Sequence, residues 1–175
     1  MSLTLKFRYR FEAAHRFTSA AAPSCRTPHG HTWYATATFK LSAPALDKSE
    51  MAAEFGAVKK AWKAFITETA DHSFFHNSKD PLIPHLKEIT PDARLLSFPG
   101  DPTTELIAGL FALKLKAMHA ASGITSVTPV AVHIQETPTN SITFRFEKDG
   151  ATPAWLAARV AKTNGWWLSA DPRQR

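Results

Sequence analysis

Hydrophobic and polar residues alternate with a period of two along two segments near the N-terminus, residues 3–12 and 32–41. Successive side chains of a strand point to opposite faces, so this period predicts two strands, each with one buried face. The stretch between them contains Pro23, Pro28 and Gly30. Such breakers are typical of a loop, and we expect the two strands to pair in antiparallel fashion.

The spacing of apolar residues changes to three and four after residue 48. These positions are Met51, Phe55, Val58, Trp62, Phe65 and Ile66. The pattern predicts an amphipathic helix, with Ser49 as its N-cap. Five prolines then fall within residues 77–102, where we expect neither a long helix nor a central strand.

A second helix is predicted to begin after Thr103 or Thr104, either of which can act as its N-cap, and to end near Gly123. Alternation resumes over residues 130–135 and 142–146, on either side of a short turn, and predicts two more strands. The order of elements is thus strand, strand, helix, helix, strand, strand. It predicts an α+β fold in which two helices cover one face of a four-stranded antiparallel sheet.

The C-terminal segment, residues 148–175, contains Trp155, Trp166 and Trp167. Exposed tryptophans are unfavourable in water, so we expect this segment to dock on its own domain or on a neighbouring subunit. The chain is therefore predicted to consist of a domain at residues 1–147 and a C-terminal extension at 148–175.

Composition excludes several classes of protein. The chain has 175 residues, of which 44% are hydrophobic and 21% charged, as in ordinary globular domains and unlike collagen or disordered chains. Its net charge of +6 is scattered without a run of five like signs, which favours solubility over a nucleic-acid or membrane patch. No apolar run approaches the roughly 18 residues of a membrane span, and the N-terminus does not resemble a signal peptide. A lone cysteine, Cys25, suits a reducing compartment, so we expect a cytoplasmic protein.

Three histidines are candidates for a metal site. His29 and His31 are two residues apart at the start of the second strand, so both imidazoles point to the same face. His15 has the parity of the buried residues at the end of the first strand. Three converging imidazoles fit a Zn²⁺ site. Two alternatives remain open: ordinary loop histidines, or a structural zinc with Cys25 as fourth ligand.

Three further residues carry candidate chemistry. Glu136 shares the parity of the buried residues of the third strand, where a carboxylate needs a partner. That partner could be a ligand with paired N–H donors, such as an aminopyrimidinone ring; the alternative is solvent or Arg145. Asp71 and His72 are adjacent in sequence and, with a thiol and three histidines, form a candidate set for thiol activation.

The sequence resembles the 6-pyruvoyltetrahydropterin synthase family, which includes the 6-carboxytetrahydropterin synthases of the queuosine and deazapurine pathway. The resemblance covers about residues 3 to 147. The motifs that carry it are Phe11-Glu-Ala-Ala-His15, Cys25-Arg-Thr-Pro-His29-Gly-His31, Glu54-Phe55, Asp71-His72, Pro102-Thr-Thr-Glu105 and Glu136-Thr137. The chain departs from the family where Glu54 replaces a usual aspartate and where Ala70 precedes Asp71.

The resemblance implies a role for each matching residue. The Zn²⁺ ligands would be His15, His29 and His31. Cys25 would be the base that abstracts protons, and Asp71 and His72 would relay them. The pterin ring would be anchored by Glu136, helped by Thr103, Thr104 and Glu105.

The resemblance also implies a T-fold (tunnelling fold), assembled as a hexamer of two stacked trimers with active sites between subunits. The implied substrate is 7,8-dihydroneopterin triphosphate. The short spacing from Cys25 to His29 is similar to that of the enzymes that form 6-carboxytetrahydropterin. Elimination of triphosphate to give 6-pyruvoyltetrahydropterin is the alternative. A third hypothesis, from another class, is a non-enzymatic RNA-binding module with a structural zinc held by one cysteine and three histidines; the strands lack the interleaved basic and aromatic residues that it requires.

Overall fold

The computed structural model describes residues 3–19, 23–42, 46, 48, 50–147 and 150–174. These residues form six strands and four α-helices. They are β1 (Thr4–His15), β2 (His29–Leu41), α1 (Phe55–Phe65), β3 (Ser73–Asn77), α2 (Leu82–Ile89), β4 (Leu95–Phe98), α3 (Thr104–Ala121), β5 (Val127–Gln135), β6 (Ser141–Arg145) and α4 (Ala154–Val160). A π-helical turn, Ile66–Ala70, follows α1, and short 3-10 turns occupy Pro23–Arg26 and Trp166–Leu168.

The strands form one six-stranded sheet in the order β4-β3-β1-β2-β5-β6. The four predicted strands correspond to β1, β2, β5 and β6, which pair in antiparallel fashion. The expected count of four strands is wrong, because β3 and β4 extend the sheet in parallel. These two strands have only five and four residues, too few for a clear alternation. The prolines of this region flank them rather than interrupt them.

The first helix begins later than the sequence predicts. It starts at Phe55, and its N-cap is Glu54, whose carboxylate accepts hydrogen bonds from the backbone N–H groups of Gly56 and Ala57. A carboxylate satisfies these donors and also interacts favourably with the positive end of the helix dipole. Ser49, the predicted cap, lies outside the described residues.

The second predicted helix agrees with α3. The Thr103 hydroxyl accepts a hydrogen bond from the Leu106 N–H at 3.3 Å, so Thr103 rather than Thr104 is the N-cap. The helix ends at Ala121, and Gly123 adopts a positive φ of 72° just beyond it. Two shorter helices, α2 and α4, were not predicted.

Aromatic side chains between the sheet and α3 form the centre of the core. Phe11 of β1 stacks on Trp33 of β2, with ring centroids 6.2 Å apart, and Phe111 of α3 packs on Phe65 at 4.8 Å. His15 lies on the same sheet face, its ring 5.2 Å from that of Trp33. The core therefore continues directly into the candidate metal site.

The C-terminal extension packs against α3 of the same chain. Trp167 is buried against Phe98, with ring centroids 5.1 Å apart, and Trp155 remains 48% exposed. Gly109 makes room for α4, because a Cβ at this position would approach Trp155 and Leu156 to 3.1 Å. A division of the chain into domain and extension at residue 147 stays a prediction.

A buried lysine of α3 holds this extension. The Lys114 ammonium donates hydrogen bonds to the carbonyl oxygens of Trp166 (2.6 Å), Ser169 (3.0 Å) and Asp171 (2.7 Å). It also lies 3.6 Å from the centroid of the Trp166 ring. Burial lowers the pKa of Lys114 to about 8, so the ammonium is still protonated at pH 7. Its three N–H donors match the three carbonyl acceptors.

Among the described residues, no helix combines the length and the hydropathy that crossing a membrane requires.

We expect Lys114→Met to destabilise the protein by roughly 2–4 kcal/mol, because one buried and two partly buried hydrogen bonds to carbonyl groups lose their donor. Urea unfolding measures this loss, and limited proteolysis should cut residues 150–174 faster in the variant. The matched control is Lys116→Met in the same helix, since Lys116 is exposed and donates one hydrogen bond, to the Gly150 carbonyl. Equal stability losses in the two variants would contradict the role assigned to Lys114.

Candidate metal centre

The pairing of β1 with β2 brings three imidazoles together. His15 is directly opposite His29 in the antiparallel register, and His31 is opposite Ala13. The ring centroids of His15 lie 4.5 Å from His29 and 5.2 Å from His31, and those of His29 and His31 are 5.1 Å apart. One potential ligand atom of each histidine lies within 4.8 Å of the others. The arrangement has the geometry of a three-histidine metal site.

Backbone carbonyls orient two of the rings. His15 Nδ1 lies 3.0 Å from the Pro102 carbonyl oxygen, and His29 Nδ1 lies 2.8 Å from that of Thr27. A carbonyl can only accept a hydrogen bond, so the proton of each neutral ring resides on Nδ1. Each Nε2 therefore presents a lone pair, as in protein metal sites whose second ring nitrogen is held by a backbone carbonyl.

The burial of His15 keeps its ring neutral. Its side chain is 1% exposed, and burial lowers the pKa of His15 to about 4. Burial also lowers the pKa of His31, although the Glu136 carboxylate opposes this shift. A neutral imidazole is the form that binds a metal ion.

The Nε2 atom of His15 is the clearest indication that this site suits a cation. It is buried and makes no hydrogen bond within the described residues. A buried polar atom without a partner is costly, and a metal ion bound by three imidazoles would remove that cost. Zn²⁺ fits this all-nitrogen donor set. The group of potential ligands contains the three histidines and not Cys25, which is half-buried in the otherwise exposed 3-10 turn Pro23–Arg26.

Glu136 faces the histidines. Its side chain is 18% exposed, and Oε1 lies 3.7 Å from His15 Nε2 and 4.0 Å from His31 Nε2. No ion pair within the described part of the chain joins it to Arg145. A hydrogen bond from its own N–H to the Asn140 carbonyl, 3.0 Å, closes the turn that directs the side chain this way.

Asp71 and His72 form a hydrogen-bonded pair at the margin of the sheet. Asp71 Oδ2 lies 3.0 Å from His72 Nδ1, and Oδ1 accepts the Glu12 backbone N–H at 2.9 Å. Burial raises the pKa of Asp71, but these hydrogen bonds outweigh it and hold the pKa below its ordinary value. His72 and His31 both line a cavity of about 600 Å³, together with Arg94.

The predicted helix-terminus residues lie elsewhere. Thr103 and Glu105 line a second cavity of about 630 Å³, whose wall includes Phe17 and Trp155. Phe17 packs edge-on against His15, with ring centroids 5.3 Å apart, so this cavity borders the metal centre. The single chain thus brings Glu136 to the three histidines and places the Asp71–His72 pair and the Thr103–Glu105 segment on separate cavities.

Asp101 is a residue that the sequence reasoning missed. It accepts hydrogen bonds from the backbone and hydroxyl groups of Thr18 and Ser19 and from the Asn77 side chain. Burial raises the pKa of Asp101, but these five bonds outweigh it and hold the pKa well below its usual range. The hydrogen bonds of Asp101 connect Thr18 and Ser19, which follow β1, to the loop that contains Pro102. No periodicity or motif indicates such a residue, because its partners are far away in sequence.

Comparisons with known proteins agree with this geometry. Residues 4–147 match the sequence model of the 6-pyruvoyl tetrahydropterin synthase family. This chain belongs to that family. The 6-carboxy-5,6,7,8-tetrahydropterin synthase of Aquifex aeolicus is 31% identical to it over 157 residues, which cover 79% of this chain and 95% of the relative. The expectation that the chain is an enzyme of this family, and hence a lyase, is confirmed.

Solved structures, a 6-pyruvoyl tetrahydropterin synthase among them, confirm the predicted T-fold. An uncharacterised protein of Wolinella succinogenes superposes with a TM-score of 0.68 at 20% identity, covering 84% of this chain and 99% of its own. The 6-pyruvoyl tetrahydropterin synthase of Caenorhabditis elegans gives 0.58 at 20% identity, covering 84% and 97%. At this identity the likeness concerns the fold.

The low pKa of His15 makes the metal-free protein sensitive to acid. The folded state binds fewer protons than the unfolded state between pH 4 and the ordinary histidine pKa of about 6.5. Stability of the chelator-treated protein should therefore rise with pH across this interval, by an amount on the order of 2–3 kcal/mol from this residue, and level off above it.

Urea unfolding at several pH values measures this dependence. In His15→Gln the rise in stability between pH 4 and 6.5 should be lost, whereas His85→Gln, at an exposed position, should retain it. An unchanged pH slope in His15→Gln would show that His15 is not the group responsible.

Proposed function

We propose that this family member is a zinc-dependent carbon–carbon lyase. It converts 7,8-dihydroneopterin triphosphate and water to 6-carboxy-5,6,7,8-tetrahydropterin, acetaldehyde and triphosphate, a step of queuosine and deazapurine biosynthesis in the cytoplasm. The observation that carries the proposal is the buried, unpartnered Nε2 of His15 beside His29 and His31. The activity in the name of the Aquifex aeolicus relative supports the carboxylated product.

The three histidines hold the metal in this proposal. Zn²⁺, when bound, supplies a Lewis acid that polarises the hydroxyl groups of the substrate side chain and stabilises the negative charge that develops on their oxygens. The carbonyls of Pro102 and Thr27 keep the His15 and His29 rings oriented with Nε2 inward. Cys25 lies outside the group of potential ligands, which leaves its thiol for another role.

Cys25 acts as the base that moves protons on the substrate side chain. Its backbone carbonyl accepts a hydrogen bond from the Phe17 N–H at 2.8 Å, which ties the turn Pro23–Arg26 to the residues just after His15. The thiolate is the reactive form of a cysteine. Asp71 holds the proton of His72 on Nδ1, so that Nε2 of His72 is free to accept and return protons as a relay.

Glu136 binds the pterin ring. An ionised carboxylate can accept two parallel hydrogen bonds from the paired N–H groups of an aminopyrimidinone. Because its Oε1 lies 3.7 Å from His15 Nε2, a ring bound to Glu136 lies beside the metal centre. Supporting contacts come from Thr103, Thr104 and Glu105. The net charge of +6 favours an anionic substrate such as a triphosphate.

The active enzyme is a hexamer of two stacked trimers, with sites between subunits. The separation of the Asp71–His72 pair and the Thr103–Glu105 segment onto different cavities supports this, because a neighbouring subunit can complete each site. The sheet supports it as well. Within the described residues, β3 pairs with β1 only over Ala13–His15, so one edge of β1 from Thr4 to Glu12 is open, as is the outer edge of β6. Open edges of this kind favour pairing with another chain.

Sedimentation analysis should therefore give a mass of about 116 kDa, which corresponds to six chains of 19.3 kDa. A monomer at micromolar concentration would contradict the assembly.

The wild-type protein should contain zinc and form a product with the mass of 6-carboxytetrahydropterin. Cys25→Ala should lower turnover by at least roughly a hundredfold, because the base is removed, while zinc content stays unchanged. Mass spectrometry of the product and zinc analysis of the protein provide the two measurements.

His29→Ala is the matched control, since it removes a proposed ligand and should lower zinc content and turnover together. Loss of zinc in Cys25→Ala would instead indicate a structural site with cysteine as fourth ligand. A product with the mass of 6-pyruvoyltetrahydropterin would assign the protein to the triphosphate-eliminating reaction.

A further inference from the structure

The C-terminal extension is tied to the segment that carries the Asp71–His72 pair. This segment begins with the π-helical turn Ile66–Ala70 and ends at the start of β3. The Thr69 hydroxyl donates a hydrogen bond of 2.6 Å to the Pro172 carbonyl, 103 residues away in sequence. Thr69 is 8% exposed, and the bond is partly buried.

A second hydrogen bond links Thr69 to Ser73, the residue that follows the Asp71–His72 pair. The Ser73 hydroxyl donates to the Thr69 carbonyl at 2.6 Å, and Ser73 is 5% exposed. Thr69 therefore connects Pro172, on the extension, to Ser73, the residue that follows His72. Asp71 and His72 lie within the loop that this connection closes.

The backbone of His72 needs such support. Its φ is 55°, in the left-handed region, where a non-glycine residue is strained by roughly 1–2 kcal/mol. Strained residues persist where surrounding contacts determine their conformation. The His72 N–H donates a hydrogen bond of 2.7 Å to the Glu12 carbonyl. The Thr69–Ser73 hydrogen bond fixes the backbone that follows His72.

The extension itself is rigidly anchored, so it can transmit this support. Lys114 binds carbonyls at the start of the 3-10 turn Trp166–Leu168 and just after it, and Trp167 is 1% exposed. Further along, the Gln174 side chain accepts the Ser97 N–H at 2.8 Å and donates to the Ser97 carbonyl at 3.4 Å. Pro172 is thus fixed between α3 and the edge strand β4.

An ion pair adds a weaker contact. Arg173 Nε lies 2.8 Å from Glu68 Oε2, but both side chains are exposed, so this ion pair contributes little to holding the extension in place. The hydroxyl of Thr69 is therefore the principal link between the extension and the Asp71–His72 pair.

We propose that Thr69, held by the Pro172 carbonyl of the C-terminal extension, is a positioning residue for the Asp71–His72 proton relay. The inference rests on the proposed function, in which this pair transfers protons. It assigns a role in the reaction to residues beyond 147, outside the region that matches the family. A displaced relay slows proton transfer without weakening substrate binding or metal binding.

The test is a double-mutant cycle of Thr69→Val with His72→Ala, with dihydroneopterin triphosphate as substrate. Thr69→Val preserves side-chain shape and removes the donor. We expect it to lower kcat roughly tenfold to a hundredfold, with KM within about twofold, zinc content unchanged and a larger solvent deuterium isotope effect. In the His72→Ala background, Thr69→Val should have no further effect on kcat, because the relay is already absent.

Two variants control for packing and stability. Thr69→Ser retains the hydroxyl and should recover most of the kcat. Thr67→Val is the same change two residues away, at an exposed threonine whose hydroxyl donates to the Lys63 carbonyl, and kcat should stay near that of the wild type.

Additive effects of Thr69→Val and His72→Ala, or an equal loss in Thr67→Val, would overturn the inference while leaving the proposed lyase intact. Absence of turnover by the zinc-loaded wild type would instead overturn the proposed function, and the relay role would fall with it.

Discussion

The register between β1 and β2 is the constraint on which the rest of the site depends. Side chains alternate across a strand, so a slip of one residue would send His29 and His31 to the opposite face of the sheet from the core. The aromatic residues that precede them hold the register, since Phe11 and Trp33 stack on the same face against Phe111 of α3. The register that packs the core therefore also brings the three histidines together. The candidate metal centre lies at one end of the hydrophobic core, with His15 packed against Trp33.

Burial at this end of the core has a chemical consequence. It keeps His15 neutral and leaves one lone pair without a hydrogen-bond partner among the described residues, a cost that a bound cation would remove. The same burial brings the Glu136 carboxylate close to two imidazoles. A substrate held by Glu136 would therefore lie close to a metal ion held by the histidines.

The C-terminal extension illustrates how a segment outside the family region can become part of the fold. A buried ammonium normally carries a desolvation penalty, which Lys114 offsets through three carbonyl acceptors and the face of Trp166. These acceptors exist only when the extension is in place. Lys114 therefore favours the docked arrangement and makes residues 166–174 a fixed surface, against which the π-helical turn and β4 can form hydrogen bonds.

The sequence by itself determined the features that depend on local periodicity. The four antiparallel strands, the helix after Thr103 and the common face of His15, His29 and His31 all follow from alternation and capping, which neighbouring residues set. It also supplied the family, because the motifs occur in order along the chain.

Only the tertiary structure decided which distant groups meet. Glu54 rather than Ser49 as the cap of α1, the short strands β3 and β4, and the direction of Glu136 depend on contacts between segments far apart in sequence. So do the hydrogen bonds of Asp101 and Lys114. These interactions depend on burial and on donors and acceptors from distant segments, which leave no periodic signal in the sequence.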